Sequence, residues 1–291
     1  MPNLRFPKHG RKIELRNYTR FLACLLVFLL VATAVIVVLG KINGQGAQEA
    51  AVVVTPFVLP PTPTPEPTPP PITIPDGKTL DKVTIVIDPG HGGEDPGTIS
   101  PYGEELYEKD ITLDIAKRVK ALLVDSGINV ILTRESDGRI VESQKEDLLG
   151  RANVANDNDA SFFVSIHVNA NDYKSPNGME VYYLNKPAVY DDFNSEQLAG
   201  IIGKNIQKSA GITFNGTLKN DYSVLRNTKM PAVLVETGYI TNKSDYERLK
   251  SDEFRESTAI GIVEGIKQAL DDINAFEYEG DLYVFKQIGG E

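Results

Sequence analysis

Four polar residues stand where catalysis is possible: His91, Glu108, His167 and Glu236. His91 follows Val-Thr-Ile-Val-Ile-Asp-Pro-Gly (83–90), an apolar, β-branched run that stops in a tight turn. Glycines on both sides of it let backbone and ligand approach closely. The run Phe-Phe-Val-Ser-Ile (162–166) delivers His167 at a strand end, and Ala-Val-Leu-Val (232–235) delivers Glu236. Glu108 opens a helical stretch whose apolar face contains Ile111 and Ile115. A carboxylate aligned with an apolar face must find a partner or become neutral. Open α/β sheets bind ligands at the carboxyl ends of their strands, so the pattern brings two histidines and two glutamates into one crevice.

Two neutral imidazoles and one carboxylate, with a fourth position left to water, make a catalytic zinc arrangement. A second carboxylate that does not hold the metal then moves protons. His9, His91 and His167 are the only histidines and Cys24 the only cysteine. Disulfides within the chain and thiolate zinc sites are therefore excluded, and a third ligand in the folded part must be a carboxylate. Each residue also has a plainer use. Glu108 suits a helix N-terminus, and Glu94, Asp95, Glu104 and Glu105 compete for its ligand role. His167 fits a hydrogen-bonded core histidine, and Glu236 an ion pair with Arg226 or Arg151.

The elements that position these residues follow a long approach. Residues 1–20 hold six Lys or Arg against one Glu, so of the net charge of −10 the rest carries about −15. Such an acidic body argues against nucleic-acid binding. The next 19 residues, 21–39, carry no charge and only Thr33 is polar. At about 1.5 Å each they span roughly 28 Å, close to a bilayer core of about 30 Å. The basic head (1–20) places the N-terminus in the cytoplasm, an uncleaved anchor occupies 21–40, and the remainder lies outside the cell. The alternative is a cleaved signal peptide, whose apolar region is usually about 7–15 residues. A Pro/Thr-rich linker follows over 41–81. Residues 56–75 hold ten of the eighteen prolines and predict an extended spacer.

The folded unit is expected over 82–291. Strands are predicted near 83–87, 129–133, 161–166, 179–184 and 232–235, with helices from about 108, and near 142–157, 193–210, 243–250 and 253–273. This alternation predicts a single twisted, mostly parallel β-sheet with helices on both faces, preceded by one transmembrane helix and the Pro-rich linker.

Four motifs then occur in order: Asp-Pro-Gly-His-Gly-Gly (88–93), Glu-Lys-Asp-Ile-Thr-Leu-Asp-Ile-Ala (108–116), Ser-Ile-His-Val-Asn-Ala (165–170) and Met-Pro-Ala-Val-Leu-Val-Glu-Thr-Gly-Tyr (230–239). Lesser marks are Thr133-Arg134, Arg151-Ala152-Asn153, Gly178-Met179-Glu180-Val181 and Val224-Leu225-Arg226. Together they resemble the zinc-dependent N-acetylmuramoyl-L-alanine amidases of the type-3 family, from Val83 to near Leu270. The resemblance implies one zinc ion on His91, Glu108 and His167, and Glu236 as the catalytic glutamate. It implies cleavage of the amide between N-acetylmuramic acid and the stem-peptide L-alanine. Asn169 and Arg226 are candidates for holding substrate or for supporting the ligands from behind. Peptidoglycan, the cell membrane and a protein activator are the expected partners, with the catalytic domain facing the cell wall. The alternatives are a zinc peptidase acting within the stem peptide and an inactive wall-binding module. Tyr239 stands where the family usually has phenylalanine. The loop 171–177 is short where some relatives insert an inhibitory helix, which implies an open site.

Overall fold

The computed structural model describes residues 71–103, 106–187 and 189–288. Nine strands and six helices are described. The strands are β1 (Lys78–Lys82), β2 (Thr84–Pro89), β3 (Asn129–Leu132), β4 (Phe162–Asn169), β5 (Met179–Tyr183), β6 (Phe214–Lys219), β7 (Ala232–Tyr239), β8 (Phe276–Tyr278) and β9 (Asp281–Gln287). The helices are α1 (Glu108–Asp125), α2 (Gln144–Asp157), α3 (Ser195–Ala210), α4 (Ser223–Asn227), α5 (Lys243–Lys250) and α6 (Asp252–Asp272). Six strands form the main sheet in the order β3-β2-β4-β7-β5-β6. All neighbours run parallel except β5 and β7, which are antiparallel.

Alternation along the strands feeds two cores. Ile85 and Ile87 of β2, Phe162 and Val164 of β4, and Val233 and Val235 of β7 pack with Ile111 and Ile115 of α1, Ile202 and Ile206 of α3, and Ile262 and Ile266 of α6. The intervening residues Val86, Phe163 and Leu234 face the other way, against Ala155 of α2 and Val224 and Leu225 of α4. Helices thus cover both faces, as the sequence predicts. The α3–α6 contact depends on small residues. A Cβ added to Gly261 or Gly265 would lie 2.5 Å or 2.8 Å from the Cα of Ile206 or Ile202.

The sequence reading missed several elements for identifiable reasons. β6 is an edge strand, Phe-Asn-Gly-Thr-Leu-Lys, without a buried face. α4 is a single turn of five residues. β1, β9 and β8 form a separate three-stranded antiparallel sheet, and β1 falls in the stretch read as linker. Charged residues interrupt its strands, and Glu279-Gly280, both at positive φ, make the β8–β9 turn. This sheet belongs to the same body, because Val284 of β9 is fully buried in the larger core. The basic head, the anchor stretch and most of the linker lie outside the described residues. Among the described residues no helix is long and apolar enough to cross a membrane.

The two kinds of helical glycine give a matched test. Gly200 of α3 has open space where a Cβ would stand. Gly200→Ala should therefore raise stability by about 0.5–1 kcal/mol through helix propensity. Gly265→Ala gains the same propensity but forces α3 outward, and should lower stability by about 1–3 kcal/mol. Denaturant unfolding of both variants checks the opposite signs.

Candidate metal centre

The site grows from the turn that ends β2. Asp88 is fully buried, and its carboxylate accepts hydrogen bonds from Thr133 Oγ1 (2.6 Å), Arg151 Nη1 (2.9 Å) and Ser165 Oγ (2.7 Å). Burial opposes its ionisation, but the Arg151 charge and the two hydroxyl donors outweigh that and hold Asp88 below the ordinary carboxylate range. Arg151 also donates to the carbonyls of Pro89 and His91, each at 2.7 Å. Arg134 donates to the carbonyls of Pro89 (3.0 Å), Gly90 (3.0 Å) and Lys109 (2.7 Å). Thus held, His91 adopts φ 62°, a left-handed conformation uncommon outside glycine. Gly90 has no room for a side chain, since a Cβ there would lie 2.3 Å from Cε1 of His167.

Glu108 is the first residue of α1 and is pinned on both oxygens. Oε1 accepts the N–H of Val168 (2.9 Å) and Oε2 the N–H of Thr98 (2.8 Å). Oε1 also lies 3.1 Å from His91 Nε2 and 3.0 Å from His167 Nδ1. The two imidazoles meet edge to face, with centroids 4.9 Å apart. Burial raises the Glu108 proton affinity, but both histidines reverse this and push it far below the usual carboxylate value. Burial disfavours a charged His91, yet Glu108 and Asp95 together bring it up to about 9.

Ligand atoms from His91, Glu108 and His167 all lie within 4.8 Å of one another. Two imidazole nitrogens and one carboxylate oxygen are a zinc donor set, so the residues present fit that metal. The two histidine side chains are 23% and 18% exposed against 4% for Glu108, so the cluster opens to solvent on the histidine side.

The sequence places His167 and Glu236 at strand ends, but neither terminates its strand. They lie inside β4 and β7, which continue to Asn169 and Tyr239, with a register shift between His167 and Asn169. His167 and Glu236 are direct neighbours across β4 and β7, and Glu180 lies opposite Glu236 across β5 and β7. Three ionisable side chains therefore stand in a row on one face. Glu236 pairs with neither arginine suggested for it. Arg151 is taken by Asp88 and Asp147, and Arg226, half exposed, pairs with Asp221 at 2.8 Å. Glu236 Oε2 is shut from solvent without a hydrogen-bond partner. Burial, with Glu108 and Glu180 adding to it against the pull of His167 and His91, raises Glu236 to about 7.

Of the rival carboxylates, Asp95 faces the far nitrogen of His91, Nδ1, at 3.0 Å, close enough for an ion pair but out of line for a hydrogen bond. Glu104 and Glu105 lie outside the described residues. Asn169 donates from Nδ2 to Glu180 Oε2 (3.2 Å). Glu180 also accepts from Tyr182 (2.8 Å) and Tyr239 (3.0 Å). This cluster was not anticipated, although a glutamate alternating with Met179 and Val181 signals a polar sheet face.

Residues 85–268 match the family described as N-acetylmuramoyl-L-alanine amidase. The chain belongs to that family. The amidase LytC of Bacillus subtilis is 41% identical over 182 residues, 62% of this chain and 34% of the relative. The probable cell wall amidase LytH of Staphylococcus epidermidis is 37% identical over 185 residues, 64% of this chain and 57% of the relative. The chain thus spans about a third to somewhat over half the length of these two relatives. The CwlD amidase of Clostridioides difficile, solved in complex with the GerS lipoprotein, superposes with a TM-score of 0.59 at 30% identity, covering 66% of this chain and all of CwlD.

The buried Asp88 pair underlies the candidate site and gives a stability test. A depressed folded pKa stabilises fully above the unfolded value of about 3.9, and this contribution is lost as pH falls through the folded value. Asp88→Asn should cost about 3 kcal/mol at pH 7, the low end for a broken buried pair, because Asp147 still faces Arg151. Denaturant unfolding at pH 7 and pH 3 should show the difference from wild type shrinking in acid.

Proposed function

We propose that this chain is a membrane-anchored peptidoglycan hydrolase that cleaves the amide between N-acetylmuramic acid and the L-alanine of the stem peptide. The observation that carries the reading is the converged His91–Glu108–His167 set beside the unpartnered carboxylate of Glu236, in a chain of the amidase family. His91, Glu108 and His167 hold one zinc ion. Such an ion acts as a Lewis acid toward a carbonyl and lowers the pKa of water to about 7.

The chain's own residues do the rest. Thr98 and Val168 fix the Glu108 carboxylate through their backbone N–H groups, which keeps it charged and stationary. Glu236 takes the proton of the attacking water and delivers it to the departing amine of L-alanine. Its Oε2 is free for this because no protein donor occupies it. Asn169, at the end of β4, and Arg226, exposed on α4, are assigned to substrate contact.

The remaining organisation follows the sequence. The basic head (1–20) and apolar run (21–40) anchor the chain with its N-terminus inside, the linker spaces it as far as β1, and the folded unit that begins with β1 works on the wall side. CwlD is solved with a lipoprotein, and by that likeness a protein activator at the membrane is assigned here too.

Two experiments test this reading. Glu236→Gln keeps size and hydrogen bonding but cannot accept the proton. It should retain zinc and melting temperature while turnover falls about 10²–10⁴-fold. Products carrying a free lactyl carboxylate and a new L-alanine N-terminus mark the amidase, whereas cuts inside the stem peptide mark a peptidase. Retained turnover in the variant would overturn the mechanism. For the anchor, protease added to intact cells should release an active soluble fragment cut between residues 45 and 80. Mature protein that begins near residue 48 and washes free of membranes would refute anchoring.

A further inference from the structure

The segment between His91 and α1 touches the outer atoms of two of the three proposed ligands. Asp95 Oδ2 lies 3.0 Å from His91 Nδ1, on the opposite edge of the ring from Nε2, which faces Glu108. The other carboxylate oxygen, Oδ1, accepts the N–H of Gly97 at 3.1 Å. Gly92 and Asp95 exchange both backbone hydrogen bonds (3.0 and 3.1 Å), closing a small loop next to His91. Arg139 Nη2, 3.5 Å from Oδ2, keeps positive charge beside the carboxylate.

The same loop is fastened to the first turn of α1. Lys109 N–H donates to Pro96 O (3.1 Å), Glu108 N–H to Thr98 O (3.0 Å), and Thr98 N–H to Glu108 Oε2 (2.8 Å). Gly97 fills the remaining gap, since a Cβ there would lie 2.6 Å from Glu108 Oε2 and 2.8 Å from His91 Cδ2. The loop is therefore a bracket that fixes His91 and Glu108 relative to each other.

We propose that Asp95 is a positioning residue of the metal centre: its negative charge, 3.0 Å from His91 Nδ1, favours the tautomer with the proton on that nitrogen, so that the Nε2 lone pair points at the point shared with Glu108 and His167. This rests on the zinc reading given above. A carboxylate behind a ligating imidazole fixes its tautomer and ring orientation and makes it a better donor. Asp95 is not itself the third ligand: the two ring nitrogens point in diverging directions, so an ion on Nε2 is beyond its reach. Gly97 N–H and Arg139 complete the arrangement by holding the carboxylate in place.

The test uses the full chain in detergent, stripped of metal and labelled with ¹⁵N-histidine. Only three histidines contribute signals, and His91→Ala assigns the relevant pair. Zinc titration of wild type should show one site, with the metal shift on His91 Nε2 and a proton on Nδ1. Asp95→Ala should weaken zinc binding about 10–100-fold, lose the fixed Nδ1 proton signal, and leave the metal-free melting temperature near that of wild type. Asp95→Asn, which keeps the size of the side chain and removes its charge, should also bind zinc more weakly than wild type, and wild-type affinity in it would overturn the role of the charge. Unchanged zinc affinity in Asp95→Ala overturns the proposal, whether or not the loop loses stability. A metal shift on Nδ1 in wild type also overturns it, by making Asp95 a ligand. Wild type that takes up no zinc would overturn the metal reading and this inference together.

Discussion

The site depends on one ion pair that never sees water. Asp88 and Arg151 lie at the carboxyl end of β2 with side chains 1% and 3% exposed. An apolar pair of similar volume would cost less to bury. It could not, however, donate to the carbonyls of Pro89 and His91, which a sharp turn leaves without ladder partners. Thr133 of the segment after β3 and Ser165 of β4 complete the carboxylate's shell, so three neighbouring chain segments are tied at one point. Arg134 approaches the same turn from another side. Burial, together with the neighbouring Arg151, lowers its proton affinity to about 10, and it stays cationic at neutral pH. Two arginines and one aspartate thus carry the cost of a left-handed His91.

Above this base, the sheet does the aligning. Parallel pairing of β4 with β7 sets His167 beside Glu236, and the single antiparallel pairing, β5 with β7, sets Glu180 on the other side. Side chains at matched register share a face, so the order of strands, not their sequence spacing, determines which polar residues meet. The environments then separate the two carboxylates. Glu108 collects two backbone N–H groups and two imidazoles and stays ionised, whereas Glu236 is buried with an unpartnered oxygen and holds its proton nearer neutrality. Divergent proton affinities in one crevice are the mark of divided labour.

Much of this was legible beforehand. The apolar runs that end in Asp-Pro-Gly-His and in Val-Glu-Thr-Gly marked central strands, because only buried strands tolerate such continuous hydrophobicity. The spacing of Ile111 and Ile115 from Glu108 placed a carboxylate in line with a core-facing helical stripe. The small sheet of β1, β8 and β9 was not legible, since strands of three to seven residues that mix charged and apolar side chains give no period that competes with a loop. Nor was the exact reach of β4 and β7. Polar residues that look like the end of a strand remain paired when a neighbour on each side supplies the hydrogen bonds.

The sequence by itself determined the residue types available for chemistry, the order of buried elements and the family to which the chain belongs. Two histidines in the folded part and no cysteine there leave only carboxylates to complete a metal site. Which carboxylate comes within reach of both histidines was decided by the tertiary structure. Glu94 and Asp95 were candidates by composition, but the loop that carries them turns Asp95 to the outer edge of His91 while α1 brings Glu108 to the inner one. The tertiary structure likewise freed Glu236, by giving Arg151 to Asp88 and Arg226 to Asp221. The physical reason is the same in each case. Charge pairing acts over a few ångströms, and which groups come that close is set by strand order and loop path, on which local sequence is silent.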